Sequence, residues 1–582
     1  MLLPVSEGQG RWKARCLTYV LRRDRMLLAE VTASPVWADA ARPIRFPLDK
    51  SNSGVIMDLK DIESVSGTAL SRREFLTIAA AGTAAGVMEL AGCGGKPGEA
   101  NSITIALDRG VNTLDPAMHR SRTTEAVIRN IFDGLVTRDQ DMKVVPELAE
   151  SWRTIDEHNW EFKLRENVRF HDGSAFTAED VKFTIDRIIT RGAVGGESSP
   201  RKGLLGDVDG SEILDEHTVV LHTAKPFPAL PAMLTFHEIV PKGYIEKVGD
   251  GHFATNPVGA GPFRFKLWKR GERVLLERFD DYYGGSPDIP PVGQAKLDSV
   301  RFKPIPESAS RISALLAGEV HVIEKVPPHS VKTVRTARTG VGTAESTRTH
   351  YLGLNVVSGP FRDIRARQAV SHAVDFQAIV EKVLSGYATV LAGPLVPAAL
   401  GFDAQLRPVR HDPQHAKYLL RRANFPMDFQ IEIDTEDSDK EIAQVLADQL
   451  RAAGLKARAR VWNWDLLQPQ LIKRKRTAFV THWGNASLDP IGILEPLFSS
   501  DGRGNFTGFA DSEVDDALAK ARSMFDKADR ERAYVRVQRI IRQQLAGIFG
   551  LARNEIYGVS KRVHDWKPKP DGMLNMHDVS LG

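Results

Sequence analysis

Two periods alternate along the chain. Ile103-Thr104-Ile105-Ala106-Leu107 and Trp160-Glu161-Phe162-Lys163-Leu164 put large apolar side chains at every second position, which predicts strands. Thr177, followed three residues later by Asp180 and then an apolar run, has the form of a capping box and predicts a helix over 178–189. Asp412-Pro413 sets an N-cap beside a first-turn proline, opening a helix with Ala416, Leu419, Leu420 and Ala423 on one face. Ile442, Val445, Leu446 and Leu450 repeat at helical spacing until Gly454. Leu455 to Val461 then switches to period two, a helix–turn–strand unit. Strands and helices alternate in this way throughout, with no internal repeat, so the predicted class is α/β.

One apolar run does not fit a globular body. Phe75 to Met88 is rich in Ala and Gly, directly follows Arg72-Arg73, and is interrupted by Glu89. A transmembrane helix needs about 20 apolar residues, so the run is too short to span a bilayer. Paired arginines before a weakly apolar core are instead the pattern of a twin-arginine export signal. Leu90-Ala91-Gly92-Cys93 resembles a bacterial lipoprotein box, in which Cys93 is acylated and becomes the new N-terminus. The segment plan is therefore an N-terminal extension over 1–70, a signal peptide over 71–92 and a lipid-anchored tether over 93–102. The extension shows no periodicity, and a leader beginning at Met57 has the normal length. Residues 1–56 are thus expected to be upstream read-through, the alternative being a genuine extension. The expected location is the outer face of the cell membrane, towards periplasm or exterior.

Length and composition narrow the function. At roughly 150 residues per domain, 582 residues make three or four domain-sized units. A formal net charge of +4 argues against a nucleic-acid partner. The two cysteines, Cys16 and Cys93, provide neither a disulfide framework nor a cysteine metal site. With the Cys93 sulfur acylated, thiol catalysis is excluded as well. No nucleophile elbow or Walker motif is present.

A long series of motifs carries a family resemblance. Thr113-Leu114-Asp115-Pro116 is followed by Ile131-Phe132-Asp133-Gly134-Leu135 and by Val145 to Trp152. Phe162 to Gly173 and Phe176 to Phe183 come next, then Asn256 to Phe263 and Asp281-Tyr282-Tyr283. Ala314 to Val320 and Arg365 to Val370 close the series. In this order, over about 103–570, the chain resembles the family 5 solute-binding proteins of ABC importers, the dipeptide, oligopeptide and nickel group. The resemblance implies a two-lobed, type II "Venus flytrap" of α/β class with an extra subdomain in its first lobe. Lobe I would run over 103–355 and lobe II over 356–553, with 554–582 returning to lobe I. It further implies a monomeric, non-enzymatic protein without cofactor or metal. Such a protein hands a peptide or small organic solute to a permease driven by ATPase subunits. Two other readings stay open: a sensor or receptor of the same fold, and a lipid-anchored hydrolase. Stoichiometric binding of an unaltered ligand separates the binding protein from the hydrolase.

Candidate ligand-binding positions follow from the motifs. Asn256 to Pro262 is a turn whose glycines, Gly259 and Gly261, allow positive φ and let backbone approach a ligand closely, a purely structural turn near the cleft being the alternative. Tyr351 to Asn355 resembles the family's hinge-crossing strand, with the return expected near Phe549 to Val559. His119 follows the Thr-Leu-Asp-Pro motif on a loop that lines the pocket in relatives, and is equally readable as a solvated loop residue. Trp462, Trp464 and Trp483 cluster where a cleft is expected. Trp offers a broad apolar face and one donor, and core packing is an even alternative for the first two. Peptide-binding relatives hold the ligand's amine with an aspartate shortly after the tryptophan that matches Trp483. Here Trp483-Gly484-Asn485-Ala486-Ser487-Leu488-Asp489-Pro490 puts Ala486 at that position. An unpaired buried ammonium is costly, so the expected ligand is a small organic or modified-peptide solute stacked on Trp483. Asn485 and Ser487 would supply neutral hydrogen bonds. Asp489 would take an amine if the loop is shifted, which keeps ordinary peptides as the competitor. Nickel-type binding lacks a downstream ligand, since no histidine lies between His482 and His564. His411 and His415 read as part of a capped helix, and Lys473 to Arg476 as a solvated face.

Overall fold

The computed structural model describes residues 101–582, together with the backbone of an antiparallel hairpin, Arg15–Arg22 with Arg25–Thr32. Residues 1–93 and 94–582 separate into two units. The hairpin lies in the stretch where no periodicity predicted an element. Arg72, Arg73, Cys93 and nearly all of the expected tether fall outside the described residues.

The first strand of the main unit, Ser102–Leu107, is central to a seven-stranded sheet. It pairs in parallel with Ser299–Pro304 on one side and Val322–Ile323 on the other. Phe263–Lys269 and Arg273–Arg278 form one flank, while Glu555–Ser560 and Thr339–Ala344 form the other. Ile103, Ile105, Phe302 and Val322 are buried in its core. A second, four-stranded sheet, ordered Ala149–Thr154, Asn159–Leu164, Thr218–Thr223, Val208–Asp215, is covered by the helix Ala178–Ile189. That helix begins as expected. Asp180 Oδ2 accepts from the Thr177 backbone N–H at 3.0 Å, completing a capping box, and Val181, Ile185 and Ile188 face the core.

The other body is a six-stranded sheet ordered Ala388–Val390, Ile548–Arg553, Arg348–Leu354, Ala478–Gly484, Gln430–Glu436, Lys456–Trp462. The helix Lys440–Ala452 buries Ile442, Leu446 and Leu450, ends at Gly454 (φ +90°) and feeds the parallel pair Gln430–Glu436 with Lys456–Trp462. The helix Pro413–Arg422 opens with Asp412 accepting from the His415 N–H at 2.9 Å. The chain passes between the two large sheets twice, through residues 345–347 and through Asn554. The outward crossing thus precedes Tyr351–Asn355. Seven consecutive antiparallel pairs, Arg348 with Gly484 through Leu354 with Ala478, tie that strand into the six-stranded sheet. Among the described residues no helix is long and apolar enough to cross a membrane.

Candidate functional site

The strand Ala478–Gly484 ends at a cleft between the two sheet bodies. Two cavities, of about 550 and 780 Å³, lie there and share Leu204, Phe236, Gly484, Ala486 and Arg503 as wall. Trp483 stands at the end of that strand, lining the smaller cavity. Its indole Nε1–H donates to the Gly492 carbonyl at 2.9 Å, and the Arg503 guanidinium lies 4.6 Å from its ring centroid. Gly504 packs directly against the ring, leaving no room for a Cβ. Trp483 is thus held rigidly, with one face covered by a cation.

The loop after Trp483 bonds to itself. Asn485 Nδ2 donates to the Asp489 carbonyl at 2.9 Å, and the Ser487 hydroxyl donates to Asn485 Oδ1 at 2.7 Å. The Asp489 N–H returns to Ser487 Oγ at 3.2 Å, and Leu488 adopts φ +55°. Asp489 accepts from the Ile491 N–H and meets Arg530 bidentately, at 2.6 and 2.8 Å, in the interior. Asn485 and Ser487 line the larger cavity with their polar atoms already bonded within the loop, Asp489 turns to Arg530, and Gly484 and Ala486 face both cavities.

The other expected residues sit at a distance from these walls. The Gly259 and Gly261 carbonyls accept from His171, from its backbone N–H and its Nε2 respectively, both at 2.9 Å. A Cβ on either glycine would meet the Ile131 backbone. Their need for glycine is therefore packing within the first body. Tyr351 is buried between Phe479 and Phe549, and burial pushes its phenol well up. Asn355 brackets a turn, donating to Arg474 and Arg476 carbonyls and accepting from the Val357 and Ser358 N–H groups. Trp462 donates to Asp434 at 2.6 Å and packs under Arg460 and Arg476, outside the cleft. His119 is buried behind the cleft. Burial and the adjacent Arg201 lower it to about 2, so it is neutral, with Nε2 accepting from Arg201 at 2.9 Å and Nδ1–H donating to the Ser121 carbonyl. His411 lines a separate cavity of about 180 Å³ in the six-stranded body and His415 stacks on Tyr418.

The charged lining of the smaller cavity was not foreseen from sequence. Eight cationic side chains and two acidic ones line the 550 Å³ cavity. Arg122 pairs with Glu555 at 2.8 Å; Arg122 and Arg348 together hold that carboxyl at about 2 against the raising effect of burial. Arg129 pairs with Glu238 at 2.9 Å and Glu125 at 3.4 Å. Arg138 donates to the carbonyls of Met142, Ala232 and Ser487, so it fastens one body to the other, and Lys569 donates to the Arg138 carbonyl. Burial lowers Arg138 to about 10. Across the larger cavity, Arg522 holds Asp207 of the first body and Glu495 of the second. These cations are scattered from position 120 to 569, and no local pattern announces their convergence.

A second cluster lies within the six-stranded body. His350 and His482, directly opposed on neighbouring strands, flank Asp439 at 3.4 and 3.1 Å, and Arg553 reaches the same carboxylate at 3.5 Å. Burial lowers His350 to about 4, and the two imidazoles outweigh burial in holding Asp439 well below the usual carboxylate range.

Comparison with known proteins follows the same architecture. The model of bacterial extracellular solute-binding proteins, family 5, matches residues 143–505. The glutathione-binding protein GsiB of Pectobacterium atrosepticum is 26% identical over 507 residues, 83% of this chain and 94% of that protein. The PBP AgaA of A. tumefaciens R10, solved with agropinic acid, superposes with TM-score 0.70 at 26% identity, over 83% of this chain and 99% of its own. The periplasmic binding protein DppA of Helicobacter pylori, solved with peptide STSA, shares the fold with TM-score 0.73 at 24% identity, over 82% and 98%.

Proposed function

Since the chain belongs to family 5 of the bacterial extracellular solute-binding proteins, we propose that it captures a peptide-like or small organic solute in the cleft at Trp483 and delivers it to an ABC importer. The observation that carries the reading is the cleft itself: two cavities walled by both sheet bodies, which two short crossings join. Crossings of three residues and one residue suit rigid-body closure about a hinge. Trp483 and Ala486 form the seat on one side. Asp489, bidentate to Arg530, is not free to take a peptide amine, which favours a solute other than an ordinary zwitterionic peptide. The names of relatives span that range: glutathione, agropinic acid and a short peptide. Arg72-Arg73 and Cys93 supply export and a lipid anchor, and the protein acts as a monomer beside permease and ATPase subunits.

Mass spectrometry of solute released from the purified chain tests this. One unaltered solute per chain is expected. A ligand at 100 times its dissociation constant stabilises the fold by about 2.7 kcal/mol, visible as a thermal shift. Turnover of the solute would overturn the reading.

A further inference from the structure

The charges on the cleft identify the solute's chemistry. Of the cations lining the smaller cavity, Arg122, Arg129 and Arg201 are met by Glu555, Glu238 and Glu125. Three others are not met. Arg120 donates only to the Pro200 carbonyl, at 2.6 Å. Arg503 is exposed at the cavity, its guanidinium over the Trp483 ring. Arg348, beside Gly484 at the outward crossing, is lowered to about 10 by burial and then by Arg122. Among the described residues no carboxylate stands within ion-pair distance of these three.

Their placement matters as much as their number. Arg120 follows the turn Pro116–Met118 of the first body, and Arg503 follows the helix Leu494–Phe498 of the second. Arg120 and Arg503 line the same cavity from the two bodies, so their like charges oppose each other across it. Drawing the bodies together without a counter-ion increases that repulsion. Of the acids nearby, Asp489 pairs with Arg530 and Asp207 and Glu495 with Arg522, while Asp501 and Asp515 accept from the Ser499 and Ser500 hydroxyls and pair with none of the three arginines. Asp571 lies among Arg129, Arg138 and Lys569, each within reach of its field.

We propose that the solute is a small oxyanion carrying at least two negative groups, carboxylate or phosphate, gripped between Arg120, Arg348 and Arg503 as the counter-ion that lets the two bodies close. Planar guanidinium groups suit either oxyanion, since both accept paired N–H donors. The inference rests on the solute-binding reading and adds the ligand's charge class to it.

The solute need not be identified for the test. A small-molecule extract of bacterial cells and medium is separated by charge on ion-exchange columns, and each fraction is added to the purified full chain in a thermal-shift assay. Stabilising activity is expected in the strongly retained anionic fraction. Phosphatase treatment then separates the two sources: loss of activity identifies phosphate, survival identifies carboxylate. Arg348→Gln is expected to raise the half-saturating concentration of that fraction at least tenfold, with partial recovery in Arg348→Lys. The exposed positions allow Arg120→Gln and Arg503→Gln to report the same loss in a folded chain. Activity confined to neutral or cationic fractions, or three glutamine variants that bind like the parent, would overturn the anion proposal while leaving solute binding intact. A stabilising compound that is converted to product, or no stabilisation by any charge class, would overturn the solute-binding reading as well.

Discussion

Two groups of residues line the cleft on opposite principles, the loop after Trp483 and the arginines around it. On the Trp483 side, every polar side chain of the loop finds its partner inside the loop or behind it: Asn485 with Ser487, Asp489 with Arg530, the indole with the Gly492 carbonyl. Around that loop, Arg120 from the first body and Arg348 and Arg503 from Trp483's own body keep donors that pair with no carboxylate among the described residues. A group whose hydrogen-bonding capacity is saturated internally determines shape; a group with donors left over determines what chemistry enters. The motif-bearing loop is therefore scaffold, and the unpatterned arginines carry the charge proposed to discriminate.

The sharpest way to break this contrast is at Asp489. Asp489→Ala leaves Arg530 buried without its carboxylate and is expected to cost about 3–5 kcal/mol in urea unfolding, an effect of the ion pair's interior position. A variant that kept parental stability and lost only solute affinity would return Asp489 to the ligand. Gly504→Ala comes next. The added methyl would meet the Trp483 ring, so about 1–3 kcal/mol of destabilisation is expected, with a shifted Trp fluorescence as the check.

At neutral pH the remaining effects are smaller, and one of them grows as the pH falls. His119 is neutral when folded, lowered from 6.5 to about 2, so its contribution to stability is complete above pH 6.5 and declines as the pH falls. Measured against His119→Gln, the parent should lose about 1.4 kcal/mol per pH unit below 6.5, since only its unfolded state takes up that proton. Parallel stability–pH curves would place a charged imidazole beside Arg201. Smallest of all, Arg503→Gln is expected to change stability by no more than about 0.5–1 kcal/mol, the worth of an exposed cation over an aromatic ring. A larger loss in thermal unfolding would make Arg503 part of the scaffold and blur the contrast between the two groups.

Much of this fold was legible in the chain because its signals are short-ranged. Thr177 and Asp180 start a helix through bonds spanning three residues, Asp412-Pro413 does the same, and Ile442 to Leu450 share a face by helical pitch alone. The order of motifs from Thr113 to Val370 carried the family for the same reason. The candidate site was harder. Trp483 was found through a motif, but Asn485, Ser487 and Asp489 read as free polar groups because nothing local shows that they bond to one another and to Arg530, 41 residues away. Gly259 and Gly261 read as a turn at which backbone approaches a ligand. What approaches is the Ile131 backbone, which only the packed structure reveals.

By itself, then, the sequence determined the α/β alternation, the helix starts and stops, and membership of a family whose two bodies surround a solute. Tertiary structure alone decided which side chains line the cleft between them. Arg120, Arg348 and Arg503 are separated by hundreds of residues, and they become neighbours only when two sheets, joined at residues 345–347 and Asn554, face each other. Secondary structure follows from contacts within a turn of chain, whereas an electrostatic field sums over charges by distance in space, which the linear order of residues does not contain.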